Sequence, residues 1–571
     1  MKVSDYVVAA LYQMGVRHVF ELSGGMITHL LDSLYLHGKI RIVSMHHEQA
    51  AAFAADATGR MTGIPGVAMA TSGPGATNLL TGIGSCYFDS SPGVFITGQV
   101  NRSEQKGDRK IRQLGFQETD IVAMAGPITK EAWRITAPEE VPPILARAFR
   151  VATGGRPGPV LIDIPMDVQR SSLDGACLDE QPPASEGDSP TDCGPLRDAL
   201  LSSRRPMFLV GGGIRAGHAQ EMFLQLVNQL GVPVVNSLMA VDVLPYGHPS
   251  RVGMIGTYGN RWANLALAES DLVVVMGSRL DVRQTGSRTD AFKGDRKIFH
   301  IDCEEAELNN RVKGCDGIVS ALGPFLEQLL SALRGVGRPF AWAAWLDEIE
   351  GLRRDWPDTA ELKSVVGINP NSLMHQLSDC SAAAYVADVG QHQMWAAQSL
   401  ELGPRQRFLT SGGMGSMGFG LPAAIGVALS VPGKPVVLIA GDGGFQCNIQ
   451  ELQTVVQLGL PLKIVVLNNQ CHGMVRQFQE SYFEGRYQST WWGYSAPDFA
   501  SVATAYGVCG RTVADEKQVP DSLRWLWEDP DQPRLLQVMI DPLANAYPKV
   551  AFGQPISEME PFGKPVDIES T

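Results

Sequence analysis

Excess positive charge is what this chain lacks first. Its 571 residues carry 47 Lys and Arg against 60 Asp and Glu, a formal net charge of −13. A protein that neutralises many phosphates needs a basic surplus, so nucleic-acid binding is not expected. Nor is there an apolar run near the length of about 20 residues that a bilayer span requires, and no membrane association is expected. The opening MKVSDYVVAALYQMG has no continuous apolar segment followed by small residues and does not read as a signal peptide. It reads as a helix capped by Ser4 or Asp5, with Val7, Val8, Leu11 and Tyr12 as its apolar positions. The nine cysteines are scattered, odd in number and never spaced as CxxC. That excludes a cysteine zinc site and fits a reducing compartment, with a cytoplasmic location as the default.

What the chain does have is one pattern, repeated. Apolar runs of strand length recur at GVAMAT (66–71), GVFITG (93–98), PVLIDI (159–164), MFLVGG (207–212), LVVVMG (272–277), KIFHID (297–302), AAYVAD (383–388), VVLIAG (436–441) and KIVVLN (463–468). Such runs are what strands buried on both faces look like. The amphipathic helical stretches between them imply parallel sheets, so the fold class is α/β, repeated. A chain of this length divides naturally into three domains. The polar, Pro-containing stretch at 171–195 reads as a linker, and a second change falls at 334–368, where a Trp-rich helical segment leads into GINPNS. Domains are placed at 1–175, 190–345 and 365–545, with a Pro- and Gly-rich tail at 546–571.

The sharpest local signal is VVLIAGDGGFQCNIQELQTVVQLGLPLKIVVLNNQ (436–470). It reads as a strand, a Gly-rich turn, a helix starting near Asn448, and a second parallel strand ending at Asn468-Asn469. In a βαβ unit both strands finish on the sheet edge where ligands of open α/β sheets bind. Asp442 and Asn469 therefore come together although 27 positions separate them. Both offer oxygen, which suits Mg²⁺ better than zinc. Gly441, Gly443 and Gly444 let a diphosphate approach the backbone and the start of a helix. A second cluster, SMHHEQAAAF (44–53), sets two histidines beside Glu48. His46 reads as a polar strand-end residue and His47 as one that orders the Glu48 segment, not as metal ligands.

At GDG…NN the chain resembles the thiamine diphosphate (ThDP) enzymes, whose motif of that form holds Mg²⁺ and the cofactor's diphosphate. TSGPGATNLLTGI (71–83), GFQETDIVAMAGPITK (115–130), GRPGPVLIDIP (155–165), DVGQHQMWAAQ (388–398), SGGMGSMGFGLPAAIG (411–426) and GMVRQFQ (473–479) are similar to acetohydroxyacid synthase segments and occur in the same order. The resemblance implies three doubly wound parallel-sheet domains: pyrimidine-binding, central flavin-type and diphosphate-binding. It implies Asp442, Asn469 and the Cys471 carbonyl as Mg²⁺ ligands. Gly390, Gln391, His392, Gly441, Gly443, Gly444 and Met474 fall among the cofactor contacts. Met417 matches the bulky residue that bends ThDP, and the Gly415 backbone would face the 4′-amino group. Glu48 matches the activating glutamate, whose carboxyl at N1′ of the aminopyrimidine promotes loss of the thiazolium C2 proton. Gln117 and Phe116 complete the implied catalytic set. Because Glu48 and Asp442 sit in different domains, the resemblance implies a site between two subunits and a homodimer or homotetramer. For the central domain it implies FAD in a non-redox role, at Arg156, Gly212, Gly213, Ser237, Leu238, Gly277, Arg279 and Asp302.

On the substrate side the pattern breaks. Met166 stands where the family has lysine, Phe478 where it has tryptophan, and Thr257 where it has methionine. Arg283 matches an acceptor-side arginine, and His472, after the NNQC turn, is expected to face the substrate. Trp491 and Trp492 either line an access loop or cover a core. SGGMITHLLDSL (23–34) and WGYSAPDF (492–499) look more like flavin-containing carboligases of branched-sugar (yersiniose-type) pathways. The expected function is a ThDP-dependent carboligase that decarboxylates pyruvate and transfers the acetyl unit to a ketone, foremost a nucleotide-linked keto-deoxysugar. The alternative is an acetolactate synthase catalytic subunit that joins two pyruvates. A pyruvate decarboxylase or oxidase, and a non-catalytic cofactor-binding protein, are the remaining rivals.

Overall fold

The computed structural model describes residues 1–173, 192–335, 342–362, 365–379 and 381–566. Most of the linker expected at 171–195, and part of the change expected at 334–368, lie outside the described residues. Three six-stranded sheets organise the rest. The first contains β1 (His18–Leu22), β2 (Arg41–Ser44), β3 (Gly66–Ala70), β4 (Gly93–Gln99), β5 (Glu131–Arg134) and β6 (Pro159–Pro165), in the order β2-β1-β3-β4-β6-β5. The second contains β7 (Pro206–Val210), β8 (Val234–Asn236), β9 (Arg251–Met254), β10 (Leu272–Met276), β11 (Lys297–Asp302) and β12 (Asp316–Val319), ordered β12-β11-β10-β7-β8-β9. The third contains β13 (Ala384–Ala387), β14 (Arg407–Thr410), β15 (Val436–Gly441), β16 (Leu462–Asn468), β17 (Cys509–Val513) and β18 (Arg534–Met539), ordered β14-β13-β15-β16-β18-β17.

Every neighbouring pair within these sheets is parallel. The first and third sheets share one strand order. The second, read from β9, has the 3-2-1-4-5-6 order of dinucleotide-binding folds. All nine apolar runs form strands, and β3, β4, β6, β7, β10, β15 and β16 are buried at every residue. Helices cover both faces, which is why these strands are apolar throughout instead of alternating.

Two local expectations are corrected. The helix after β15 begins at Asp442, not near Asn448; it runs Asp442–Cys447, and Asn448, at φ −134°, ends it while donating its side-chain amide to the Gly418 carbonyl at 2.8 Å. At the N-terminus the helix is Val3–Gln13 with Lys2 at the cap position. Ser4 and Asp5 lie inside its first turn, with the Ser33 hydroxyl 2.9 Å from Ser4 Oγ and 2.6 Å from Asp5 Oδ1. The Pro- and Gly-rich tail folds back as a hairpin of β19 (Lys549–Val550) and β20 (Met559–Glu560). Val550, Ile556 and Met559 enter the central domain's core, and the Val550 N–H donates to the Thr257 carbonyl at 2.8 Å.

The first and third domains share one hydrophobic core. The helix Glu48–Thr62 lies against the helix Gly420–Ser430, where a Cβ on Gly426 would fall 2.2 Å from the Ala54 carbonyl oxygen. Ala50–Ala52, Ala54 and Ala55 supply the small surface that permits this approach, and Phe53 meets Phe419 edge-on at 5.4 Å. Helix packing this close places the start of the Glu48 helix beside the third domain.

Candidate active site

In the third sheet the chain leaves β13 for β14 on one side and returns to β15 on the other. The strand ends of β13 and β15 thus flank a topological switch point, where open α/β sheets bind ligands. Glycine lines it. The turn after β15 carries Gly441, Gly443 and Gly444, and Gly390, at φ +159°, precedes the helix Gln391–Ser399. Side chains lie close over this floor. A Cβ on Gly441 would meet His392 Nδ1 at 2.7 Å, and one on Gly443 would meet His472 Cε1 at 2.8 Å and the Met417 methyl at 3.2 Å. Met417 itself projects from a loop that passes through Gly415 at φ +68°.

His392 is buried, and its Nε2 has no hydrogen-bond partner. Burial pushes its pKa down to about 3, so the ring is neutral. An unpartnered buried nitrogen above a Cβ-free turn at a helix start fits an anionic oxygen ligand. The loop that roofs the turn is pinned by Asp388, at the end of β13. Its carboxylate accepts the N–H groups of Val389 (2.6 Å), Gly418 (3.0 Å) and Gly420 (2.9 Å), while burial raises its pKa to about 6. Sequence reasoning assigned Asp388 no role; an acid at the end of a switch-point strand was the available signal.

Asp442 and Asn469 stand at the edge of the same turn. Burial raises the Asp442 pKa to about 6, opposed by hydrogen bonds from the Tyr494 hydroxyl and from the backbone of Gly443 and Cys471. Gly441 of β15 pairs with Leu467 of β16, so Asp442 leaves the sheet beside the 469–471 turn. Asn469 donates to Gln391 Oε1 at 3.2 Å, and its Oδ1 accepts the Cys471 N–H at 3.2 Å. Gln391 in turn donates to the Ala544 carbonyl at 2.9 Å, so its side chain braces Asn469. Burial pushes the Cys471 thiol up to about 12, which keeps the sulfur protonated and leaves the backbone carbonyl as the group it could offer a cation. Among the described residues no group of three or more His, Cys, Asp or Glu could hold a metal. The Asp–Asn–carbonyl set, all oxygen, is what suits a hard cation. Met474 lies in the first turn of the helix Gly473–Tyr482 that follows.

The HHE cluster divides three ways. The His46 N–H donates to Glu451 Oε1 at 2.9 Å, and its ring lies 3.1 Å from Thr454 Oγ1. His47 caps the helix Glu48–Thr62, its Nδ1 accepting the Gln49 N–H at 3.0 Å. Glu48 is buried; its Oε2 accepts from Asn78 at 2.9 Å, and Oε1 lies 3.2 Å from where a Cβ on Gly75 would sit. Gln117 adopts φ +66° and stands over Gly73, whose Cβ would meet Gln117 Cβ at 2.9 Å. Phe116 beside it is 79% exposed.

The acceptor-side residues are less closely gathered. Phe478 is 44% exposed on the helix Gly473–Tyr482, its ring 4.6 Å from Tyr482. Thr257 donates its N–H to the Arg283 carbonyl at 2.6 Å, and both residues line the central cavity. Met166 opens a short helix after β6, and among the described residues no hydrogen bond or ion pair joins it to Phe478, Thr257 or Arg283.

That central cavity is open to solvent and measures about 1260 Å³ together with the space at its mouth, and Arg156, Gly212, Gly213, Ser237, Leu238, Gly277, Arg279 and Asp302 all line it. It opens at the second sheet's switch point, between β7 and β10, where Gly211 and Gly213 touch Gly277: added Cβ atoms would lie 2.1 Å and 2.6 Å from its carbonyl oxygen and Cα. No acid stands at the end of β8, which closes with Asn236-Ser237. Asp302 instead reaches the cavity from β11, its pKa raised by burial. Arg156 is ion-paired with Glu304 (2.9 Å) and Glu307 (2.7 Å) and donates to Ser90 Oγ.

Comparison with known proteins fits this division. The chain matches three family descriptions in order: thiamine pyrophosphate enzyme, N-terminal TPP binding domain, over 1–124; central domain, over 195–329; and C-terminal TPP binding domain, over 388–538. It is similar to the acetolactate synthase isozyme 2 large subunit of Escherichia coli (strain K12), 39% identical over 98% of this chain and 99% of that protein. It is also similar to the acetolactate synthase large subunit of Parasynechococcus marenigrum (strain WH8102), 37% identical over 96% and 89%. The acetolactate synthase of Mycobacterium bovis (strain ATCC BAA-935 / AF2122/97) is 36% identical over 97% and 90%.

Proposed function

Because the chain belongs to the acetolactate synthase family of thiamine pyrophosphate enzymes, which form C–C bonds, we propose that it decarboxylates pyruvate and transfers the acetyl unit to a second pyruvate, giving 2-acetolactate. The observation that carries this reading is the glycine turn at β15, roofed by His392, Met417 and His472, with Asp442 and Asn469 at its edge. ThDP, when bound, would supply a nucleophilic carbon and an electron sink for the decarboxylation of a 2-keto acid.

The protein's own residues bind, orient and move one proton. Asp442, Asn469 and the Cys471 carbonyl hold Mg²⁺, and Gly390, His392, Gly443, Gly444 and Met474 receive the diphosphate. Gln391, already committed to Asn469 and Ala544, acts by holding a metal ligand in place. Glu48 exchanges a proton at the aminopyrimidine N1′ through Oε1, the oxygen that Asn78 leaves free. By the resemblance to acetohydroxyacid synthases, Glu48, Gln117 and the exposed Phe116 meet the cofactor of a second copy, and the active unit is a homodimer, alone or paired into a homotetramer. The central cavity takes FAD without redox work. Seven cysteines are free among the described residues, which supports a reducing, cytoplasmic setting.

The keto-deoxysugar acceptor rests on Met166, Thr257 and Phe478 and on the likeness of segments 23–34 and 492–499 to branched-sugar carboligases, whereas relatives matched over nearly the whole chain bear the acetolactate synthase name. Pyruvate therefore stands first as acceptor. The test is product analysis with ThDP, Mg²⁺, FAD and pyruvate. One acetolactate for each CO₂ is expected. Absence of CO₂ release would overturn the enzymatic reading, oxygen consumption without a new C–C bond would point to an oxidase, and ligation only when a keto-sugar is added would restore the other acceptor.

A further inference from the structure

The central cavity and the glycine turn share a wall. Gly412 and Gly413 line the cavity beside Phe88, Asp89 and Ser90 of the first domain. They also begin the loop after β14 that presents Gly415 and Met417. A buried ionic cluster grips that loop by its backbone. Asp89, whose side chain is 1% exposed, accepts the Gly413 N–H at 2.6 Å and the Gly412 N–H at 3.1 Å. Arg60 donates to Asp89 at 3.0 Å and to the Thr410 carbonyl at 2.7 Å, with Asp56 as its second carboxylate at 2.6 Å. Ser411 Oγ lies 3.2 Å from Ser85 Oγ and accepts the Ser416 N–H at 3.2 Å.

Two domains therefore hold one short loop from both ends, Asp89 at Gly412–Gly413 and Asp388 at Gly418 and Gly420. Between them Met417 overhangs Gly443. Packed networks of this kind transmit ordering, because a ligand that immobilises one wall removes part of the entropy cost at the other. Resting on the FAD and ThDP readings above, we infer that Asp89 is a positioning residue that couples the two sites: a dinucleotide in the central cavity braces Gly412–Gly413 against Asp89 and so sets Met417 over the diphosphate turn.

The experiment measures ThDP affinity with Mg²⁺ by calorimetry on the full chain, with and without saturating FAD. FAD binding is followed separately by flavin fluorescence. FAD is expected to tighten ThDP binding about tenfold, and ThDP to tighten FAD by the same factor. In Asp89→Asn the factor falls to about one when ThDP affinity is compared at an FAD concentration that saturates the variant, as read by flavin fluorescence. Gly413→Ala tests the same contact without touching charge, since its Cβ would lie 2.8 Å from Phe88 Cβ and 3.0 Å from Asp89 Oδ1; it too loses the factor. A wild-type ThDP affinity indifferent to bound FAD overturns the coupling, and a factor kept in both variants overturns the role of Asp89. Failure of FAD to bind the wild type overturns the reading of the cavity, and the inference with it.

Discussion

The hydroxyl of Tyr494 donates to Asp442 Oδ2 at 3.1 Å, so one oxygen of the carboxylate proposed as a metal ligand is held by an aromatic loop from outside the glycine turn. The same ring meets His472 at 4.4 Å, and His472 covers Gly443. Tyr494 thus orients a first ligand from the next shell, where loss of a partner typically costs about 10–100-fold in metal affinity. Tyr494→Phe keeps the ring contact and removes the bond to Asp442 together with the one the hydroxyl accepts from Gln446 at 3.4 Å. Its Mg²⁺ affinity in the presence of ThDP, read from quenching of the neighbouring Trp491 and Trp492, is expected to drop about tenfold. Unchanged affinity would show that the hydroxyl is dispensable.

Glu48→Gln separates binding from proton transfer. The amide keeps an oxygen for the Asn78 bond, and the helix keeps its His47 cap. ThDP affinity is expected to change little, while hydrogen–deuterium exchange at C2 of the bound cofactor slows by about 10²–10⁴-fold. Exchange at the wild-type rate would contradict the assigned role.

How much of this was legible in the sequence follows from where each residue's partners lie. The central strands announced themselves because both faces are buried. Edge strands such as β2 and β12 did not, since Arg41–Ser44 is half exposed, Asp316–Val319 is mostly exposed, and neither carries a continuous apolar run. Gly441, Asp442 and Asn469 could be read because they sit at the ends of two apolar strands of one βαβ unit. Asp89 could not, since the loop it grips lies 324 positions away. Tyr494 was likewise hidden: nothing in WGYSAPDF states that its ring returns to a carboxylate 52 residues earlier.

His375 gives the structure a pH dependence of known sign. Its Nε2 lies 3.0 Å from Asp358 Oδ2 and its Nδ1 2.8 Å from Glu401 Oε1. Burial alone would lower its pKa, but the bonds and charges of Asp358 and Glu401 outweigh burial and raise it. A raised folded-state pKa stabilises fully below the unfolded value of about 6.5, and the gain fades as pH climbs through the folded value. His375→Gln is therefore expected to lose about 1 kcal/mol against wild type at pH 6 and much less at pH 9. Denaturant melts at the two pH values check this, and an equal loss at both would reject the charged pair.

Gly473→Ala tests whether the turn proposed to hold Mg²⁺ has room to spare. A Cβ there would lie 1.9 Å from Gln391 Oε1 and 2.7 Å from Asn469 Nδ2, so Gln391 and Asn469 must both move. Overpacking of this kind costs about 1–3 kcal/mol of stability in a well-packed site. The larger effect is expected on the cofactor, because Gln391 is the residue to which the Asn469 side chain donates. ThDP and Mg²⁺ binding are expected to weaken at least about tenfold, as for a lost outer-shell partner, while the far-ultraviolet circular dichroism stays that of the wild type. A folded variant that binds ThDP with wild-type affinity would mean that the Gln391–Asn469 contact does not position the metal ligand.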